Sequence, residues 1–308
     1  MLNPDHNSLQ TPRFQQTISQ NVDVAGFGLF CGADVTLEFC PAECDHGIVF
    51  ERTDLPGKPR IPALIDYVIP QSRCTVIQSK LARVSVIEHV MAALAGLQID
   101  NCLVKLDGPE PPGRDGSSRD FVEALRRVDA VTQTAVRESV VINETVLITD
   151  DCTIGIAAQP ARGAEFEVGY LLDYGPGPIG RQAKSIAITP HSFYQDVAPC
   201  RTFVLAEEVT ALQSQGIGTR ATSENVLVFG PDGPIDNQLR FPDECVRHKI
   251  LDCIGDFALL GCDLIGRFAA VRSGHRHNHA IIRKIRESFC PDVHSAGCES
   301  LRLIPTAT

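Results

Sequence analysis

A chain of 308 residues with 44% hydrophobic and 21% charged residues has the composition of a folded globular protein, and its length favours two domains. The formal net charge of -10 argues against nucleic acid as a partner, because binding to a phosphate backbone depends on a high density of Lys and Arg. No apolar run reaches the roughly 18 residues of a membrane span, and the first residues lack the features of a signal peptide, so we expect a cytoplasmic protein without a transmembrane segment.

The first half of the chain has the pattern of strands followed by helices. Alternating apolar residues predict strands between Phe14 and Phe50 and again from Cys102 to Leu106. Ser85 and Glu88 have the spacing of a capping box, which predicts a helix that starts there and stops at Gly96. The regular pattern is lost from Ala130 to Arg137, and this loss predicts a domain boundary.

The second half repeats the order of strands and helices. Strands are predicted from Val140, a short helix from Glu207 to Gln213, and a last helix from about Asn278. Grouped strands and helices of this kind predict an α+β fold. We therefore expect an N-terminal domain over residues 1–130 and a C-terminal domain over residues 138–308.

A helix around residues 246–258 carries the strongest chemical signal. His248 and Asp252 are four residues apart and share one helix face, and Asp256 continues that row by one turn. Apolar residues at helical spacing predict that the helix is buried. Two interpretations stay open: the histidine and aspartate bind a divalent metal, or they hydrogen-bond each other or face water.

A catalytic zinc site uses three protein ligands and keeps one position for water. His89 is the predicted third ligand, because it also lies on an apolar helix where an unpaired imidazole is costly. Glu88 would point about a quarter turn away and act as the general base on water whose pKa the metal lowers to about 7. The alternative for Glu88 is the capping box, which explains the residue without catalysis.

A second group of histidines follows the turn at Ser273-Gly274. His275 is predicted to be functional. His277 and His279 are predicted to be solvated loop residues, because they follow a turn where alternate spacing does not place side chains on one face.

Several motifs together resemble one family, the UDP-3-O-acyl-N-acetylglucosamine deacetylases. These enzymes are the zinc hydrolases of the committed step in Gram-negative lipid A synthesis. The principal matching stretches are Ser85 to Gly96, Arg247 to Asp256 and Ser273-Gly274-His275. Shorter matches extend the resemblance over about residues 14–290: Gly26-x-Gly28-Leu29, Arg52-Thr53-Asp54-Leu55, Asp107-Gly108-Pro109-Glu110, Asp115-Gly116-Ser117 and Ala198-Pro199-Cys200-Arg201-Thr202-Phe203.

The resemblance implies two β-α-α-β two-layer sandwich domains that pack through their helices, with the active site between them. Each domain would carry a small insert, near residues 52–72 in the first and near residues 204–229 in the second. The implied reaction is hydrolysis of the 2-acetamido group of a small-molecule substrate, UDP-3-O-acyl-N-acetylglucosamine. We expect the protein to act as a monomer.

The resemblance also implies a ligand set and an acid–base pair. His89, His248 and Asp252 would bind Zn²⁺, although Fe²⁺ suits the same nitrogen and oxygen ligands. Glu88 would be the general base on the metal-activated water. His275 would be the cationic general acid that protonates the leaving amine.

Four further residues would support this chemistry. Asp256 would fix the ring of His275 and raise the pKa of its imidazole. Thr202 would donate a hydrogen bond to the oxyanion, Phe203 would pack on the sugar, and Lys249 would contact polar groups of the substrate.

Two departures from the family pattern concern the substrate. The chain has Phe30-Cys31-Gly32 where the family usually has His-Thr-Gly, and Arg220-Ala221-Thr222 where Gly-Gly-Ser is usual. The second change adds bulk and charge where the family passes an acyl chain. Two other functions therefore remain as alternatives: a divergent paralogue that deacetylates another N-acetyl sugar, and a non-catalytic sugar- or metal-binding protein.

Overall fold

The computed structural model describes residues 13–150, 153–161, 163 and 165–289, so the expectation about the first residues lies outside the described part. The strands of the described part are β1 Phe14–Ile18, β2 Val22–Phe27, β3 Asp34–Pro41, β4 Ile48–Arg52, β5 Arg60–Pro62, β6 Val68–Ile69, β7 Val76–Gln78, β8 Arg83–Ser85, β9 Cys102–Leu106, β10 Ala130–Val136, β11 Ser139–Val141, β12 Val146–Thr149, β13 Gly155–Gln159, β14 Phe166–Asp173, β15 Arg181–Ala187, β16 Phe203–Leu205, β17 Leu227–Gly230, β18 Gly233–Pro234 and β19 Asp263–Val271. Its α-helices are α1 Glu88–Gly96, α2 Arg119–Arg126, α3 Pro190–Ser192, α4 Ala206–Ser214, α5 Glu244–Phe257 and α6 His275–Phe289.

Two main sheets lie on either side of a layer of helices. The first sheet has the order β2-β3-β9-β4-β5, and the second has the order β12-β13-β19-β14-β15 with β11 beside β19. Helix α2 packs on β2 and on α1, whereas α5 packs on β14 and β15, and α6 packs on β12 and β13. The two halves meet where α1 packs directly against α5. This arrangement confirms the α+β prediction.

Each half also contains a small accessory sheet. The strands β6, β7 and β8 form an antiparallel sheet from Val68 to Ser85, which begins where the predicted first insert ends. In the second half, β16 and β17 are parallel and α4 connects them, within the region of the predicted second insert. None of the helices in the described ranges combines the length and apolar character that a membrane crossing requires.

The segment with no clear sequence pattern, from Ala130 to Arg137, is largely strand β10. It pairs antiparallel with β1, so Phe14 lies opposite Val136 and Ile18 opposite Ala130. Most side chains of β10 are exposed, and the strand therefore lacks the alternation of apolar and polar residues by which strands are recognised. The division into two domains at this segment stays a prediction.

The contact between α1 and α5 depends on a glycine. A Cβ atom added to Gly255 would lie 2.0 Å from the carbonyl oxygen of Glu88, a distance that no packed side chain tolerates. The absence of a side chain at position 255 therefore allows the two helix backbones to approach closely. This approach places His89 of α1 beside His248 and Asp252 of α5.

We expect Gly255→Ala to lower the free energy of unfolding by about 1–3 kcal/mol, because the added methyl group must push α5 away from α1. The same displacement should reduce activity, since residue 88 moves with α1. Urea denaturation of the variant checks the first effect. Gly177→Ala is the matched control, because a Cβ at Gly177 meets no atom within 4 Å. Equal stability of both variants would contradict the packing argument.

Candidate active site

Three predicted ligands come together at the contact between α1 and α5. Ligand atoms of His89, His248 and Asp252 all lie within 4.8 Å of one another, and all three residues are buried. The Nε2 atom of His248 is 3.4 Å from Oδ1 of Asp252, and Nε2 of His89 is 3.7 Å from the same oxygen. In the part of the chain that the structure describes, no other group of His, Cys, Asp or Glu residues has a comparable geometry.

The surroundings of these three residues fit a divalent cation. Nδ1 of His248 is 3.0 Å from the carbonyl oxygen of Cys200, to which its N–H donates, so Nε2 keeps its lone pair for a metal. Burial lowers the pKa of His89 to about 3, which keeps that imidazole neutral. Burial alone would raise the pKa of Asp252, but the Lys249 ammonium, which donates to Oδ2 at 2.6 Å, holds it well below its usual range. Two neutral imidazoles and one carboxylate are typical ligands of zinc.

The alternative interpretation of His248 and Asp252 fits less well. Both residues are buried, with exposed fractions of 2% and 4%, so neither is a solvated surface residue. Their 3.4 Å separation is also longer than an ordinary N–H···O hydrogen bond.

Glu88 lies beside the ligands and points at His275. Its Oε2 atom accepts a hydrogen bond of 3.0 Å from the backbone N–H of Thr75, and its Oε1 atom is 3.8 Å from Nε2 of His275. Burial raises the pKa of Glu88 to about 7. A carboxyl group with a pKa near neutrality can accept and release a proton under physiological conditions.

The predicted capping box at Ser85 and Glu88 is wrong. Ser85 belongs to β8 and pairs with Val76, while Ile87 occupies the N-cap position of α1. Val86, between them, has a φ of 57°, which is strained for a β-branched residue and turns the chain sharply into the helix. The carboxylate of Glu88 is consequently turned towards Thr75 and the site.

His275 is held by the carboxylate of Asp256. Nδ1 of His275 donates to Oδ2 of Asp256 at 2.7 Å, and Asn278 donates to the same oxygen at 2.9 Å. Burial alone would lower the pKa of His275, but Asp256 raises it to about 9. The ring is therefore a cation at neutral pH, and its Nε2–H faces Glu88.

The prediction that His277 and His279 are solvated loop residues is wrong. Helix α6 begins at His275, about three residues earlier than predicted, and both side chains are buried within its first turns. One turn of helix places His279 on the same face as His275, with ring centroids 6.2 Å apart. Nε2 of His279 is 2.9 Å from the hydroxyl of Thr75, which in turn donates to Oδ1 of Asp256.

Thr202 and Phe203 border the site at the start of the second accessory sheet. The backbone of Thr202 donates to the carbonyl of Gly116 and accepts from the N–H of Leu227. The ring of Phe203 packs edge-on against His248, with centroids 6.2 Å apart. These contacts fix the start of β16 next to the potential metal ligand His248.

Sequence reasoning missed two groups of supporting residues. Arg201 donates three hydrogen bonds to the carboxylate of Glu244, two from its guanidinium and one from its backbone, and both residues are buried. This ion pair anchors residue 202 to the first turn of α5. Thr75 was missed as well, because it lies in an irregular segment and none of its partners is near in sequence.

A cavity of about 1020 Å³ opens over these residues. The predicted site residues that line it are Glu88, His89, Thr202, Phe203, His248, Lys249, Asp252 and His275. A second part of the cavity lining is apolar, and we call it the apolar limb. It consists of six residues of the second half: Val204, Val209, Leu212, Ile217, Val226 and Val228. A substrate with both a polar reacting end and an apolar tail fits this shape.

Potential metal ligands on two packed helices, with a carboxylate and a cationic imidazole next to them, are typical of a metal-dependent hydrolase. Comparison with known proteins gives the family. The family model for UDP-3-O-acyl N-acetylglycosamine deacetylase matches residues 15–287, and the chain belongs to this family.

Relatives named UDP-3-O-acyl-N-acetylglucosamine deacetylase are similar over most of the chain. The protein of Chlamydia felis is 41% identical over 281 residues, which cover 91% of this chain and 99% of the relative. The protein of Myxococcus xanthus is 39% identical over 277 residues, covering 88% and 86%. The protein of Brucella melitensis is 36% identical over 274 residues, covering 88% and 95%. These similarities confirm the resemblance noted from the motifs.

Proposed function

We propose that this protein hydrolyses the 2-acetamido group of UDP-3-O-acyl-N-acetylglucosamine, the committed step of lipid A synthesis. Membership of the family and the names of the relatives support the substrate. The observation that carries the chemistry is the position of Glu88 and His275, 3.8 Å apart and beside the three potential ligands. A protein that only bound a sugar or a metal would need neither residue.

His89, His248 and Asp252 would hold the metal, for which Zn²⁺ is the proposal and Fe²⁺ the alternative. A bound ion would polarise the acetamide carbonyl and acidify water. Three protein ligands leave room for one further ligand, as in other catalytic sites. Elemental analysis of protein prepared without air would identify the metal.

The acid–base steps fall to two side chains. Glu88 accepts a proton from water as the water oxygen attacks the carbonyl carbon of the acetamide. His275 donates the proton on Nε2 to the nitrogen as the carbon–nitrogen bond breaks. The products are acetate and a free 2-amine on the sugar. Asp256 keeps His275 charged until this transfer.

The other site residues position the substrate. Thr202 would donate to the oxyanion that develops on the carbonyl, and Phe203 would pack on the sugar ring. Lys249 holds Asp252 through its 2.6 Å hydrogen bond, and its remaining donors would contact polar groups of the substrate. Cytoplasmic location and a monomeric state remain predictions from the sequence.

The test is acetate release from UDP-3-O-acyl-N-acetylglucosamine carrying several acyl lengths. Turnover supports the proposal. Absence of turnover at every length, combined with deacetylation of another N-acetyl sugar, would instead favour a divergent paralogue. Binding of the substrate by metal-loaded protein without any release of acetate would favour a binding protein.

We expect kcat/KM to fall as the pH rises through about 9, because His275 must be protonated to donate and its pKa is about 9. Asp256→Asn removes the carboxylate that raises this pKa, so the alkaline limb of the profile should move to lower pH. The measurement is the pH profile of kcat/KM for both proteins. If the alkaline fall of kcat/KM occurred at the same pH in the variant, a group other than His275 would control it. Asp129→Asn, a change at an exposed position, is the control.

A further inference from the structure

Two segments from different halves of the chain meet beside the apolar limb of the cavity. Leu29 and Phe30, from the loop between β2 and β3, line the cavity. Ile217 and Ala221, from the loop between α4 and β17, line it as well. The backbone N–H of Gly218 donates to the carbonyl of Phe30 at 3.2 Å, which joins the two loops directly. We call this contact between residues 29–34 and 217–222 the seam.

Arg220 bridges the seam from outside the cavity. Its Nη1 atom donates to the carbonyl of Gly32 at 3.0 Å and to Oδ1 of Asp34 at 2.6 Å. Its guanidinium carbon also lies 4.4 Å from the centroid of the Phe27 ring, within the range of a cation–π contact. One side chain of the second half therefore makes three contacts with the first half.

Ile217 and Ala221 belong both to the cavity lining and to the loop that this bridge holds. The six apolar side chains of the limb offer an acyl chain a surface that excludes water, whereas the rest of the cavity carries charged residues. A chain that follows the limb past Ile217 and Ala221 reaches the seam. To extend between the two loops it would have to break the hydrogen bond from Gly218 to Phe30 and the contacts of Arg220.

We propose that Arg220 is a specificity-determining residue that limits the length of the acyl chain. The inference rests on the proposed function, since it concerns the 3-O-acyl group of that substrate. Arg220 does not line the cavity and acts by holding the wall that Leu29, Phe30 and Ala221 form. Its side chain is half exposed, so its ion pair is weak, and chains beyond the limit are disfavoured rather than excluded.

The test compares kcat/KM for substrates with successively longer 3-O-acyl chains. Arg220→Ala should raise the ratio of kcat/KM for the longest chain to that for the shortest by about threefold or more. Asp34→Ala should shift the ratio in the same direction by a smaller factor, because it leaves the bond to Gly32 and the contact with Phe27. The rate with the shortest chain should stay within about twofold of the unmodified protein in both variants.

Arg267→Ala is the matched control, because Arg267 makes a similarly exposed ion pair with Glu167 on the second sheet, away from the seam. An unchanged ratio in Arg220→Ala, or an equal change in Arg267→Ala, would overturn the inference while leaving the proposed function in place. If the unmodified protein released acetate from no substrate of the series, the proposed function would fail, and the length limit with it.

Discussion

Replacement of Glu88 by glutamine should lower kcat/KM by about a hundredfold or more and leave the metal content unchanged. Glutamine has nearly the same shape as glutamate but cannot accept the proton of the attacking water. Glu88 is adjacent to His89 in sequence, yet its carboxylate turns to Thr75 and His275 and is absent from the group of ligand atoms. The loss should therefore appear in the chemical step and not in metal binding.

Two measurements check this expectation: acetate release under saturating metal, and elemental analysis of the purified variant. Glu123→Gln is the control, because Glu123 lies on the exposed face of α2 outside the cavity. A drop in metal content in Glu88→Gln would mean that Glu88 is itself a ligand. Activity within a few-fold of the unmodified protein would remove Glu88 from the mechanism.

Replacement of His248 by alanine should abolish both metal binding and activity. The variant loses one of three potential ligands, and the buried carboxylate of Asp252 keeps only Lys249 and His89 as close partners among the described residues. Metal content by elemental analysis and acetate release should fall together. Treatment of the unmodified protein with a chelator should have the same effect on activity, and addition of Zn²⁺ should reverse it.

His191→Ala serves as the control for this experiment, because His191 is exposed on the short helix α3. Full activity of the unmodified protein in the presence of an effective chelator would contradict a metal-dependent reaction. Retention of metal by His248→Ala would show that the cation binds elsewhere.

The spacing of residues within one helix was readable from the sequence. His248 and Asp252 are one helical turn apart, and the apolar residues around them indicated burial, so two potential ligands could be named together. His89 was named because an imidazole on an apolar helix is unusual. Its closeness to α5, however, depends on Gly255, whose packing against the backbone of Glu88 has no sequence signal.

The misreadings have a common cause. Ser85 and Glu88 matched a capping box, but Ser85 pairs with Val76 as the last residue of β8, and the strained turn at Val86 follows that strand. His277 and His279 followed a turn signal, but the helix starts at His275 and both side chains are buried, His279 against Thr75 of the first half and His277 beside Asp150 of the second. In each case contacts with residues outside the local pattern overrode that pattern.

By itself, the sequence determined the α+β class, the family, and the residue types at which a metal and an acid–base pair can be expected. The tertiary structure alone decided which distant residues meet: the Thr75 hydroxyl donates to Asp256, 181 positions away, and the Arg220 guanidinium donates to Asp34, 186 positions away. The spacing of residues along the chain predicts which side chains share one face of a helix or strand, because the periods of these elements are fixed. It does not predict which faces contact each other, since those contacts depend on the packing of all segments together.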